Sequence, residues 1–301
     1  MPQAEKSSGE DVKDIYKIEN KPVADNGFYK LGVVEFEREK SKFKNFKLVR
    51  VMHSKDVKIA VLDGEIIGYK NLTPPDEIKI NGTLTDQQTI KQNKGDFAEI
   101  IFNKKRLTEK KKFFVSETAL RAGERRIDKV DQSFNEVFDE KDLAKKVILA
   151  TFLTMAFTAS GALAQSGTMK HSIYHYQYTE DGEEKSLGIT HPREKMSTKI
   201  VDFSDADYQN NLRIKLEWTT THKIRPLGLA ETVSPEELEI EFISPEKINH
   251  SEKGKLTLKE IKGDSVELTP GEMLTLDFPA KEKNKEEETF LFVSEGYYQK
   301  L

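Results

Sequence analysis

Apolar residues fall on every second position over much of the chain. In the run 212–218 the alternation is complete: Leu212, Ile214, Leu216 and Trp218 share one side, and Arg213, Lys215 and Glu217 the other. Successive side chains of a strand point to opposite faces, so this run predicts a strand with one buried face and Trp218 in the core. Shorter runs of the same kind, "FYKLGVVEF", "FKLVRVMH", "VKIAVLDGEIIGY", "FAEIIF" and "KKFFVSE", lie before residue 120. "HSIYHYQY", "LEIEFI", "SVELTPGEMLTLDF" and "TFLFVSEGYY" lie after residue 168. Asp63-Gly64 and Asp181-Gly182 sit between such runs and are hairpin signals. The pattern predicts a mainly β chain with two β-sandwich, immunoglobulin-like domains.

The period changes between them. Val130, Phe134, Val137 and Phe138 recur at three- to four-residue spacing, one face of a helix, and this segment runs into eighteen uncharged residues at 147–164. The expected plan is therefore a disordered tail at 1–27, a β-rich domain at 28–120, a helical connector at 121–167 and a β-sandwich at 168–301.

The uncharged segment matches a bilayer in length, since eighteen helical residues rise about 27 Å. Its span would include Val147, Phe152, Thr154, Phe157, Thr158, Ala162 and Ala164. Lys141, Lys145 and Lys146 precede it, which by the positive-inside rule puts the C-terminal half outside the cytoplasm. Ala150, Thr154, Thr158 and Ala162 form a small-residue row that lets two such helices associate. Three other readings compete: a buried central helix in a soluble two-domain protein, a membrane-inserting, toxin-like segment, and an internal signal peptide cut after the Ala162-Leu163-Ala164 box.

Charge sharpens this division. The net charge is -4, but residues 1–146 carry +4 and residues 147–301 carry -8. With no cysteine in the chain, disulfides, thiolate metal sites and cysteine nucleophiles are excluded.

Chemistry is sparse. His171 and His175 share a face of one predicted strand, but no third ligand is spaced to join them. Tyr174, Tyr176 and Tyr178 take the other face and are expected to cover the core rather than a sugar. Asp202, Asp205 and Asp207 read as a solvated turn, without the calcium-loop pattern. Asn71, Asn81 and Asn249 open glycosylation triplets. No phosphate loop, dinucleotide fingerprint or nucleophile elbow is present, so an enzyme is disfavoured and no cofactor or metal is expected. Lys104, Lys105, Arg106, Lys110, Lys111 and Lys112 crowd one hairpin loop and suit an anionic lipid surface. That loop lacks interleaved aromatics, so nucleic acid is not expected.

The two halves echo each other. Gly95-Asp96 precedes Phe102, and Phe114-Val115-Ser116-Glu117 follows; Gly271-Glu272 precedes Phe278 at the same offset, and Phe292-Val293-Ser294-Glu295 follows. This fits either two similar hairpins or a duplicated domain. The segments 212–229, 268–278 and 290–298 resemble bacterial extracytoplasmic β-sandwich modules of secreted and lipid-anchored proteins. The resemblance implies a location and a fold but no reaction. The function expected is that of a membrane-anchored envelope protein with a binding or structural sandwich, its partners being membrane lipid and another protein or its own helix.

Overall fold

The computed structural model describes residues 12–18, 20–35, 39–86, 89–92, 95–108, 110–120, 155–156, 172–179, 182–190, 197–206, 211–219, 222–251, 259–260, 265–282 and 286–300. The fold is mainly β. Its first strands are β1 (Val12–Lys17), β2 (Ala24–Asp25), β3 (Phe28–Val34), β4 (Glu39–His53), β5 (Lys58–Leu62) and β6 (Glu65–Thr73). Then come β7 (Glu77–Ile80), β8 (Thr83–Thr85), β9 (Ile90–Gln92), β10 (Phe97–Asn103), β11 (Lys111–Leu120) and β12 (Met155–Ala156). The second half holds β13 (Ile173–Tyr178), β14 (Glu184–Thr190), β15 (Ser197–Asp202), β16 (Asn211–Trp218), β17 (His222–Thr232) and β18 (Glu239–Ile243). It ends with β19 (Lys247–Ser251), β20 (Lys259–Glu260), β21 (Val266–Leu268), β22 (Met273–Pro279) and β23 (Glu287–Lys300).

The strands form four sheets in two compact units. Unit 1 holds the order β1-β23-β4-β18, with β21 beside β4, and the order β12-β3-β22-β19-β20, with β2 beside β3. Unit 2 holds β15-β11-β17-β6-β5, with β9 beside β17, and β14-β13-β16-β10-β7-β8. The expected division at 28–120 and 168–301 is therefore not the division of the fold. The chain passes from unit 1 to unit 2 after Ser54, re-enters unit 1 at β12, and returns to it for the last strands after Glu237, so each unit takes strands from both halves. Alternation marks the faces of a strand but not its neighbour, which is why the sequence pattern places the strands and not the boundary.

The two units share one wiring diagram. β22 lies between β3 and β19 as β10 lies between β16 and β7. β23 lies between β1 and β4 as β11 lies between β15 and β17, and β21 flanks β4 as β9 flanks β17. Register agrees: Phe292 faces Tyr16 and Leu48, while Phe114 faces Val201 and Leu229. Gly95 and Gly271, before β10 and β22, take φ of 93° and 88°. The echo in the sequence is thus a duplication with exchanged parts. β1, β3 and β4 of the first copy complete the strands β18–β23 of the second. β15, β16 and β17 of the second complete β5–β11 of the first.

Each unit has its own core between its two sheets. In unit 1 Tyr29, Leu31, Leu276 and Phe278 of one sheet meet Phe46, Leu48, Phe290 and Phe292 of the other, with Tyr29 edge-on to Phe290 at 5.3 Å. In unit 2 Phe102, Leu212, Ile214, Leu216 and Trp218 meet Phe114, Ile224 and Leu229. Trp218 is buried on the face its alternation predicts. The sheet β15-β11-β17-β6-β5 buries its other face too. Its edge strands β5 and β15 touch, and the sheet curls around Ala60, Tyr69, Phe113, Val115, Ile200 and Ala230. Burial there pushes the Tyr69 hydroxyl up to about 12. Gly228 sits at the tight point of the curl, with φ of 143° and the Thr73 carbonyl oxygen against the place where a Cβ would stand.

The helical connector receives no support. Among the described residues no helix is long and apolar enough to cross a membrane. Within the segment 147–164 only Met155 and Ala156 are described; they form β12, parallel to Val33 and Val34. An uncharged run offers no face preference, so it serves as a strand as readily as a helix once a sheet edge takes its backbone bonds. The helix expected around 121–143, and Val147, Phe152, Thr154, Phe157, Thr158, Ala162 and Ala164, lie outside the described residues.

Candidate binding face

β13 separates β14 from β16, and its two faces differ sharply. Ile173, His175 and Gln177 point inward and are buried, while Tyr174, Tyr176 and Tyr178 are half-buried on the outer face. This reverses the expectation that the tyrosines cover the core. Ile173 lies in register with Trp218, and His175 with Leu216. The parity of β16, fixed by four large apolar residues, fixes that of β13.

The outer face is a grid. Tyr174 stands between Ile189 and Glu217, Tyr176 between Ser186 and Lys215, and Tyr178 beside Glu184. One strand further on, Phe97 lies beside Glu217, Glu99 beside Lys215 and Ile101 beside Arg213. The Tyr174 and Tyr176 rings are within 20° of parallel, with centroids 6.3 Å apart. Lys215 reaches 5.5 Å from the Phe97 ring centre and 5.8 Å from that of Tyr176, and Arg213 lies 5.0 Å over Tyr178. These are cation–π distances.

The cations are already matched. The Lys215 ammonium lies 2.7 Å from Glu184 and 2.5 Å from Glu217. Burial works against its charge, but these carboxylates outweigh burial and raise its pKa above the ordinary lysine value. Arg213 donates to Glu99 at 3.2 Å. Ile189 stands half-exposed at the rim beside Tyr174. The result is a surface rich in aromatic area whose charges cancel locally.

Behind it, His175 is fully buried, edge-on to Phe114 at 6.0 Å. Desolvation lowers its pKa to about 4, against an opposing pull from the Gly188 and Ile173 backbone. The ring is neutral at physiological pH and packs as core. His171 lies outside the described residues.

The basic loop spans the end of β10, a single 3-10 turn at Lys104–Arg106, and the start of β11. Its six cations are not equivalent. Arg106 is held by Asp76 at 2.5 Å, and Lys111 lies 3.5 Å from Glu231 and donates to the Asn71 carbonyl. Lys104, Lys105, Lys110 and Lys112 are exposed. A shallow groove of about 490 Å³ beneath the loop is lined by Lys70, Lys110, Lys112, Glu231 and Glu237. Unit 1 has a groove at the matching place, lined by Arg50, Glu239, Glu241, Lys281 and Glu282. At the centre the charges are exchanged. Glu231 faces Lys70 across β17 and β6 where Arg50 faces Glu241 across β4 and β18.

Among the described residues no group of three or more histidine, aspartate or glutamate side chains is placed to hold a metal ion. Asp202 accepts from the Ser204 backbone N–H in a local turn, and Asp207 lies outside the described residues. The Asn71 amide donates to Glu231 and that of Asn81 to Asp96, each at 2.9 Å, while Asn249 lies within β19. Sequence reasoning found the tyrosines but not their direction; the missing signal was the pairing of β13 with β16. No protein-family model matches the chain, and no curated protein does.

Proposed function

We propose that the protein is a non-enzymatic binding module of immunoglobulin-like sandwich type, and that its binding face is the outer surface of β14, β13, β16 and β10. One observation carries the proposal: three tyrosines alternate along the outer side of β13, at positions where a solvent-facing strand ordinarily carries charged or small polar residues. Aromatic side chains that are rigid, amphipathic and half-exposed are the groups that dominate binding surfaces. Immobilised glycans, peptides and single-stranded oligonucleotides test it. The chain is retained by one of the three classes, and Tyr176→Ser with Tyr178→Ser abolishes retention without changing the melting curve. Retention that ignores the tyrosines overturns the face; retention by none of the classes overturns the binding reading.

A second reading rests on the exposed lysines. We propose that Lys104, Lys105, Lys110 and Lys112 add a weak attraction to anionic lipid, of about 1 kcal/mol for each residue that reaches the surface. Replacing these four by glutamate lowers sedimentation with anionic vesicles and leaves that with neutral ones unchanged. Lys111 is spared because it is tied to Glu231. Attachment through 147–164, with the C-terminal half outside the cytoplasm, draws on the uncharged run of that segment alone. Recovery of the full-length chain from the high-speed supernatant of lysed cells removes it.

A further inference from the structure

We propose that the ligand of the β13 face is a neutral oligosaccharide; the inference rests on that face being the binding surface. Three features select the class. The first is the half-exposed aromatic area of Tyr174 and Tyr176, a stacked pair within 20° of parallel and 6.3 Å apart along one strand, with Lys215 over one face of the Tyr176 ring. A pyranose ring turns a face of C–H bonds to such a surface, and its equatorial hydroxyls project sideways.

The second is the set of polar groups at the sides. Glu184 and Glu217 keep carboxylate oxygens toward solvent, with side chains 37% and 41% exposed, and Arg213 keeps N–H groups free at 47%. Acceptors and donors thus flank the rings where sugar hydroxyls, which both donate and accept, would lie.

The third is charge. Across the grid Lys79, Arg213 and Lys215 stand against Glu77, Glu99, Glu184 and Glu217. Lys215, the cation nearest the rings, is held by two carboxylates and is only 13% exposed. A phosphate or uronate would have to break those pairs and approach four glutamates. Single-stranded nucleic acid needs aromatic stacking together with a net positive track, and only the stacking is present. On the matching strands of unit 1, β3 and β22, the outer positions hold Phe28, Lys30, Thr275 and Asp277, a different charge pattern from that of β16 and β10.

The test uses the full chain on an array of neutral and acidic glycans, followed by titration of the best neutral oligosaccharide. Expected is binding that Tyr176→Ala weakens about tenfold, as loss of about 1.4 kcal/mol requires. Tyr176→Phe keeps the ring and stays near wild type, and raising salt to about 0.5 M changes little because no ion pair forms. Preference for acidic glycans, with strong salt dependence, overturns the neutral class. Neutral binding that survives Tyr174→Ala, Tyr176→Ala and Tyr178→Ala overturns the face itself. If no glycan binds but a peptide or oligonucleotide does, and the tyrosines are needed, the sugar is wrong and the face stands.

Discussion

Units 1 and 2 are built to one plan and filled differently. Where Trp218 closes the core of unit 2, the matching place in unit 1 is Glu35. Leu216 faces Ala98 as Val33 faces Leu274, and each of the two residues lies two positions further on. Glu35 is as deeply buried, but it accepts from the Ser41 hydroxyl, and its backbone bonds Glu272 and Gly271. Beside β16 lies the hairpin β13–β14 with its tyrosines; at the same edge of β3, among the described residues, lie β2 and the two residues of β12. Even the central charge is inverted, Arg50 against Glu231. The wiring is retained while side chains and edge strands diverge, so the edge of unit 2 is where function is to be sought.

The shared plan breaks most completely if the halves are made apart. Residues 1–120 alone lack every partner for β4 and β11 among β15–β18 and β23. Expressed separately, 1–120 and 172–301 should each show no cooperative urea transition. Mixed during refolding, they should elute as one complex. A cooperative transition from either half alone would refute the exchange of strands.

Trp218→Ala removes the largest apolar group that distinguishes the two cores. It should cost unit 2 about 3–5 kcal/mol in urea unfolding. An unchanged midpoint would show that the core of unit 2 does not depend on that ring.

His175 gives unit 2 a pH dependence. Its pKa falls from the ordinary histidine value of 6.5 to about 4 on folding. The unfolded chain therefore binds the extra proton first, and stability is lost as pH drops through 6.5 toward 4. The loss approaches about 3 kcal/mol at the acid end. His175→Leu should flatten this stretch of the urea midpoint profile.

The smallest effect is a local one. Gly228→Ala places a Cβ against the Thr73 carbonyl at a φ that disfavours it, and should cost about 1–3 kcal/mol. The matching residue in unit 1 is Lys47, opposite Val293 as Gly228 is opposite Val115, and there Lys47→Ala should be near neutral. Equal midpoints for both variants would show that the curl of the β17 sheet is not tight.

Much of this was legible at the level of single strands. The alternation at 212–218 gave the face and burial of Trp218, and Asp63-Gly64 turns β5 into β6 with φ of 48° and 81°. The basic loop lies between two strands as the sequence pattern predicts, but it is not a hairpin loop: β10 and β11 belong to different sheets, so it connects one sheet to the other. Pairing was not legible. The period of β4 is satisfied by any strand of matching pattern, and the contacts that decide it, to β23 and β18, lie some 200 residues away. The tyrosine direction failed for the same reason: "IYHYQY" puts three tyrosines on one side and Ile173, His175 and Gln177 on the other, a pattern that alone favours the tyrosines as the inner face, and only the pairing with β16 turns it over. The reach of Lys111 to Glu231 depended on β11 meeting β17, which local pattern does not contain.

β1 runs antiparallel to β23, with Val12 opposite Gly296 and Lys17 opposite Leu291. Tension applied between residues 12 and 300 therefore pulls on adjacent strands at one end of a ladder. The bonds would open in succession, as in a zipper, rather than together in shear. All of unit 2 lies between Ser54 and Glu237, inside the loop that this ladder closes. While unit 1 holds, the inner unit bears no load. The chain thus has a built-in order of mechanical failure, with the tyrosine face in the unit that is stretched last.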